Sequence, residues 1–267
     1  MLLTRVLSAL VFAPALFWVV YQGGVLMQGM CLGVGLLMLW EYQRMTASIT
    51  DPWMRVVGYG LGAFLIASLF GYVPGALIKG GMPLGLMLLW FLALARPEPI
   101  ADSVRRVGVL WVGVFYCCGL FPYLGMIRDG NNGLWLSLVA LFSTWGGDTC
   151  AYFAGKAFGK HRLYPRISPK KTVEGAVGGL LGGVAVAFIL SSLLPGSEVP
   201  VQHVGALGLL AAAFGMVGDL TASLLKRSTD TKDSSHLIPG HGGFLDRFDG
   251  VMFAAPAVFL YAEVFFR

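Results

Sequence analysis

The chain has 267 residues, 57% hydrophobic and 12% charged, with a mean hydropathy of +0.74, against about 25% charged residues in an ordinary soluble domain. That balance excludes a soluble enzyme and points to an integral membrane protein. The formal net charge of +5 does not call for nucleic acid, because membrane topology and anionic ligands account for the cations.

Apolar runs near the ~20 residues needed to cross a bilayer recur along the whole sequence. They predict about nine spans, near residues 6–22, 25–43, 54–72, 76–95, 107–127, 134–155, 173–194, 203–225 and 250–266. Continuous runs such as "LGLMLLWFLALA" lack the alternation of barrel strands, so the fold class is an all-α polytopic membrane protein. The first run has no cleavage-site pattern before the second begins and reads as a retained helix. Cys31, Cys117, Cys118 and Cys150 all lie in apolar runs without metal-site spacing, so they are expected to pack.

Nine spans place the termini on opposite sides. One side then keeps only Lys79, Arg128 and Arg267, leaving 16 of the 19 Lys and Arg on the other. The positive-inside rule makes the 16-cation side cytoplasmic, with an inward N-terminus and an outward C-terminus. The chain reads as a single membrane domain, 1–267. Residues 1–135 are mainly scaffold, and residues 136–250 carry the chemistry with two polar loops, 156–172 and 226–249.

In the sixth span, "FSTWGGDTCAYFAG" sets Asp148 inside an apolar helix, with Thr144 and Tyr152 one turn to either side. A carboxylate at that depth costs about 2.5–3.5 kcal/mol to insert, so it faces a cavity, a partner or an ion. The next loop, "GKAFGKHRLYPRISPKKTVEG", is strongly basic and suits anionic lipid heads. Its end is more pointed: Ser168, a proline, Lys170 and Lys171 precede a helix start, where free N–H groups and the positive dipole end favour phosphate. Glu174 is a candidate capping residue for that helix.

The seventh span carries Gly175, Gly179 and Gly183 at four-residue spacing. Such a face lets helices approach closely, and it also suits a homodimer. The eighth span, "FGMVGDLTASLLKR", aligns Asp219, Ser223, Lys226 and Arg227 in one stripe from a buried acid to a cationic end. The turn "PGHGG" follows, and Asp246 and Asp249 share a face at the start of the last helix beside His241 and Arg247. Either acid could be a cap. Together with Asp219 they make an oxygen cage for a hard cation such as Mg²⁺, with a second cation conceivable. Carboxylates for metal and cations for phosphate, at a membrane surface, form the inventory for phosphoryl or nucleotidyl transfer to a lipid.

These residues resemble a known family. From Ser223 through Lys226-Arg227 and Lys232-Asp233 to "PGHGGFLDRFD", about 27 residues are similar in spacing to the signature of phosphatidate cytidylyltransferases, the CDP-diacylglycerol synthases. "GGDTCAYFAGKAFGK", "SPKKTVEG" and the opening "TRVLSALVFAPAL" resemble the same family, whereas residues 20–135 add only hydropathy. The resemblance implies transfer from CTP to phosphatidate with Mg²⁺, giving CDP-diacylglycerol and pyrophosphate, at the cytoplasmic face of a bacterial inner membrane. It implies Asp219 and Asp246 as the leading metal ligands, with Asp249 and Asp148 near the metal or nucleotide, and Lys171, Lys226, Arg227 and Arg247 on phosphates. Relatives often carry an acid where Ala222 stands in this chain. His241 is expected to bind or to support the fold, not to act as a base. A CTP-dependent lipid kinase would use a similar charge inventory. An ion-coupled transporter would also use intramembrane acids, but it would show interrupted helices in both halves, and here the polar features occupy one.

Overall fold

The computed structural model of the protein describes residues 2–97, 99–194 and 199–266. Arg267, one of the cations used above to orient the chain, lies outside the described residues, as does the side chain of Arg5. The chain folds as helices α1 (Leu2–Gln22), α2 (Gly24–Met45), α3 (Pro52–Leu69), α4 (Gly75–Ala95), α5 (Ser103–Gly113), α6 (Tyr123–Asp129), α7 (Gly133–Phe158), α8 (Val173–Leu193), α9 (Val201–Ser228) and α10 (Leu245–Phe265). Between α7 and α8 a two-stranded antiparallel hairpin, β1 (Arg162–Tyr164) and β2 (Ser168–Thr172), pairs Arg162 with Thr172 and Tyr164 with Ser168. The hairpin is an addition to the expected all-helical plan.

Every expected span falls on helix. Seven stretches among the described residues are long and apolar enough to cross a membrane: α2, α3, α4, the run 100–129, α8, α9 and α10. Within α1, residues 10–22 form a shorter apolar helix. Helix α7 has 26 residues and is not among the seven, because the polar run "STWGGDT" dilutes its hydropathy. The expected span 107–127 is discontinuous. It runs through α5, widens into a π-helical segment over Val114–Gly119 and breaks at Phe121 and Pro122 before α6, since proline supplies no N–H to continue the ladder.

One end of the bundle is tied by polar contacts. Arg128, at the end of α6, donates to the carbonyls of Val20 (2.6 Å) and Tyr21 (2.8 Å) at the C-terminus of α1, where a cation complements the helix dipole. At the opposite end Arg106 pairs with Asp51 at 3.0 Å across the α2–α3 turn. That end also carries the hairpin and the 229–244 loop, whose Thr231 hydroxyl lies 3.4 Å from the Met45 sulfur.

Helices α7, α8 and α9 pack closely through small residues, as the four-residue glycine spacing predicts. A Cβ on Gly179 would sit 3.0 Å from the Ala151 methyl of α7, and one on Gly183 would sit 2.5 Å from the Ala212 methyl and 3.0 Å from the Gly208 carbonyl of α9. These glycines are used within the chain, so a homodimer would have to use another surface. The buried cysteines pack as expected: Cys31, Cys117 and Cys118 have no exposed surface.

Candidate active site

A cavity of about 760 Å³ opens among α7, the hairpin, α8, α9 and the start of α10. This volume suits a small-molecule ligand, for which pockets run to about 300–1,000 Å³. Five carboxylates (Asp148, Asp219, Asp233, Asp246, Asp249) and five cations (Lys156, Lys170, Lys171, Lys226, Arg247) line it. Gly147, Gly155, Gly175 and Gly179 form part of its wall, where α7 and α8 meet backbone to backbone: a Cβ on Gly175 would sit 2.8 Å from the Ala151 carbonyl and one on Gly147 3.1 Å from the Gly179 carbonyl.

Each helix delivers its residues for a local reason. Thr172 leaves β2 in an extended conformation and caps α8, its hydroxyl accepting from the Gly175 N–H at 3.1 Å. That cap turns the chain from strand to helix, so Lys170 and Lys171 stand at the helix start. Glu174 stands in the first turn of α8, where the dipole favours an acid, and also ties the hairpin to α8 by accepting from the backbone N–H of Lys160 at 3.1 Å and contacting His161 Nδ1 at 2.7 Å. In α7, Thr144 points away from the cavity and packs into the α9–α10 contact, bonding the Ala140 carbonyl at 2.7 Å. Asp148 and Tyr152, on the same face, reach the cavity.

The carboxylates fall into two groups. Asp219 forms an ion pair with Lys171 and accepts from the Ser223 hydroxyl at 3.4 Å. It lies within Coulombic range of both Asp148 and Asp249. Asp249 accepts from the Gly250 N–H at 2.8 Å. Asp246 is far more constrained. Its Oδ1 pairs with Lys226 at 2.7 Å, while its Oδ2 accepts from the Ser234 N–H and hydroxyl, both at 2.8 Å, and from the Gly243 N–H at 3.1 Å. The ammonium and carboxylate of that pair are 14% and 6% exposed.

The turn around "PGHGG" needs its glycines. Gly240 and Gly242 have φ of 78° and 81°, the left-handed region that other residues avoid. A Cβ on Gly243 would overlap Glu41 Oε1 and Ser234 Oγ.

The structure thus brings Asp148, Lys170, Lys171, Asp219, Lys226, Asp246, Arg247 and Asp249 to one cavity. Four other expected residues stand outside its lining. Ser168 begins β2, Ser223 supports Asp219, His241 sits in the tight turn with its N–H on the Ile238 carbonyl at 2.9 Å, and Arg227 is exposed on α9. Trp145, Lys156, Tyr152 and Asp233 join the lining. Glu41 was not anticipated at all, and it reaches the site's loop from α2.

The model of the cytidylyltransferase family matches residues 3–265. The chain belongs to that family. Among its relatives are proteins named phosphatidate cytidylyltransferase. The one from Brucella suis biovar 1 is 32% identical over 270 residues, covering 98% of this chain and 93% of that protein. The one from Haemophilus influenzae is 34% identical, covering 96% of each chain, and the one from Bacillus subtilis is 33% identical, covering 99% and 97%.

Five cations in the cavity wall suit a polyanionic ligand. Among the described residues no three His, Cys, Asp or Glu side chains are gathered as ligands of one ion. The donor chemistry is that of a hard-cation site all the same: the lining offers carboxylate oxygens and neither thiol nor imidazole.

Proposed function

We propose that this cytidylyltransferase joins CTP to phosphatidate, giving CDP-diacylglycerol and pyrophosphate, at the cytoplasmic face of a bacterial inner membrane. The observation that carries the reading is the cavity in which five acids and five cations converge between apolar helices. A nucleotide triphosphate and a lipid phosphate both need cations, and only a membrane-level site meets a diacyl lipid. The count of 16 among 19 Lys and Arg on the cavity's side supports the cytoplasmic orientation.

In the proposed reaction an oxygen of the phosphatidate phosphate attacks the α-phosphorus of CTP. A new P–O bond forms as the bond from the α-phosphorus to the α–β bridging oxygen breaks, and pyrophosphate leaves with that electron pair. The nucleophile's second ionisation lies near pH ~6, by analogy with phosphorylated side chains. At neutral pH it is therefore mostly dianionic and needs no general base, in keeping with the absence of histidine from the cavity lining. The barrier is the approach of two anions. Lys170, Lys171 and the α8 N-terminus would hold the triphosphate, while Lys226 and Arg247, across the cavity, would orient the lipid phosphate. Asp219, Asp249 and the Lys226-facing oxygen of Asp246 would hold Mg²⁺, with Asp148 beside them. The bound cation would neutralise charge on both substrates.

The test is CTP labelled separately at the α- and γ-phosphates, supplied with phosphatidate and Mg²⁺ to purified protein. Label from the α position should enter the lipid and label from the γ position should leave as pyrophosphate. Lipid carrying the γ label would replace this reading with a kinase.

A further inference from the structure

Among the described residues Glu41 is the most enclosed acid, with no exposed surface, and it sits on α2, in the half of the chain that otherwise supplies scaffold. Its carboxylate accepts four hydrogen bonds. Oε1 takes the Ser235 hydroxyl at 2.5 Å and the Phe244 N–H at 2.9 Å, and Oε2 takes the Ser234 hydroxyl at 3.1 Å and the Leu245 N–H at 2.7 Å. Two of these donors are backbone N–H groups at the start of α10, which an intrahelical acceptor cannot satisfy. A carboxylate placed there also complements the positive end of the helix dipole.

The contacts continue into the cavity. Ser234 lies between Glu41 and Asp246: its hydroxyl is within hydrogen-bond distance of both carboxylates, and its N–H bonds Asp246 as well. Asp246 in turn holds Lys226. A continuous polar chain therefore runs from α2 through the 229–244 loop to a cation in the cavity wall. Gly243 records how tight this junction is, because any side chain there would overlap both Glu41 and Ser234.

We propose that Glu41 is a positioning residue for the reaction, setting the height and rotation of α10 so that Asp246, Arg247 and Asp249 face the cavity. Glu41 does not line the cavity and touches no substrate in this account. The inference rests on the cavity being the reaction site.

The chemistry of the cradle predicts an unusual substitution pattern. Each oxygen of Glu41 takes a backbone N–H, which can only donate, so Glu41→Gln turns its amide NH₂ toward the N–H of Phe244 or Leu245 in either orientation and should be nearly as damaging as Glu41→Ala. Glu41→Asp keeps the charge but withdraws it by one methylene, and should restore activity in part. With saturating CTP and phosphatidate, Glu41→Gln should lower kcat on the order of 100-fold, with KM for CTP changed far less. Hydrogen exchange should accelerate at the amides of residues 234–246 and not in α7 or α8. Ser235→Ala, which removes one donor and keeps Glu41, should show a smaller effect of the same pattern, and it serves if the Glu41 variants do not fold. Wild-type kcat in Glu41→Gln, or exchange that rises uniformly along the chain in both variants, overturns the proposal. Asp219→Asn run in parallel separates the two failures: if it is inactive while Glu41→Gln is normal, only the role of Glu41 falls, and if Asp219→Asn is active, the cavity reading falls.

Discussion

Two groups of acids stand within one site and are held in opposite ways. Glu41 and Asp246 are enclosed, and three oxygens of the two carboxylates each take at least two donors. Asp148 and Asp249 open on the cavity without an ammonium partner within ion-pair distance among the described residues, and Asp219 has Lys171 and a long bond from Ser223. An acid with every lone pair engaged organises the backbone that surrounds it. An acid that keeps free lone pairs beside like charges remains able to take a cation or to respond to a phosphate. Glu41 therefore builds the loop and the start of α10, Asp246 does so through Oδ2 while its Oδ1 faces Lys226 and the cavity, and the second group is proposed to meet the ligand.

Substitutions should separate these roles. The largest effect is expected at Lys226, which pairs with Asp246 and also lines the cavity: Lys226→Met removes the ion partner of the Asp246 charge, costing on the order of 3 kcal/mol of stability, and it removes a cation from the cavity. Thermal unfolding and turnover should both fall. Lys171→Ala is expected to lower turnover by roughly 100-fold with little change in unfolding temperature, since its partner Asp219 is more open to the cavity. If Lys171→Ala proves as destabilising as Lys226→Met, the division between structural and ligand-facing acids fails. Gly183→Val should do the reverse, wedging α8 from Ala212 and costing about 1–3 kcal/mol in unfolding with KM for CTP intact. The smallest effect is expected at Arg227, which adjoins Lys226 in sequence but lies exposed outside the cavity. Arg227→Ala should change KM by no more than about threefold, as suits a solvated charge. A loss comparable with that of Lys226→Met would place Arg227 on the substrate.

Much of this was legible in the sequence because membrane chains exaggerate their signals. Hydropathy marks the spans, and a lone acid such as Asp148 or Asp219 within a span stands out because burial there is costly. Glycine spacing correctly foretold the close packing of α7, α8 and α9. What escaped was decided by partners distant in sequence. Glu41 stands in "LMLWEYQRM", three residues before Arg44 near the end of a span, where an acid looks like an ordinary interfacial residue. Its partners lie about 200 residues later, and no local pattern carries that contact. Lys226 and Arg227 read alike as a cationic pair, yet helix rotation turns one into the cavity and the other to its outside. The hairpin was hidden for a similar reason, since a short polar loop carries no strand periodicity long enough to register.

In the proposed reaction the ligand-facing acids hold the cation that the transfer needs, so the loss of one should stop turnover without unfolding the protein. The most direct measurement is the rate of CDP-lipid formation by Asp219→Asn in liposomes containing phosphatidate, with its unfolding temperature measured on the same preparation. Turnover should fall by at least about 100-fold in a protein that unfolds within a few degrees of the wild type. Near-normal turnover in that folded variant would contradict this role for the acids.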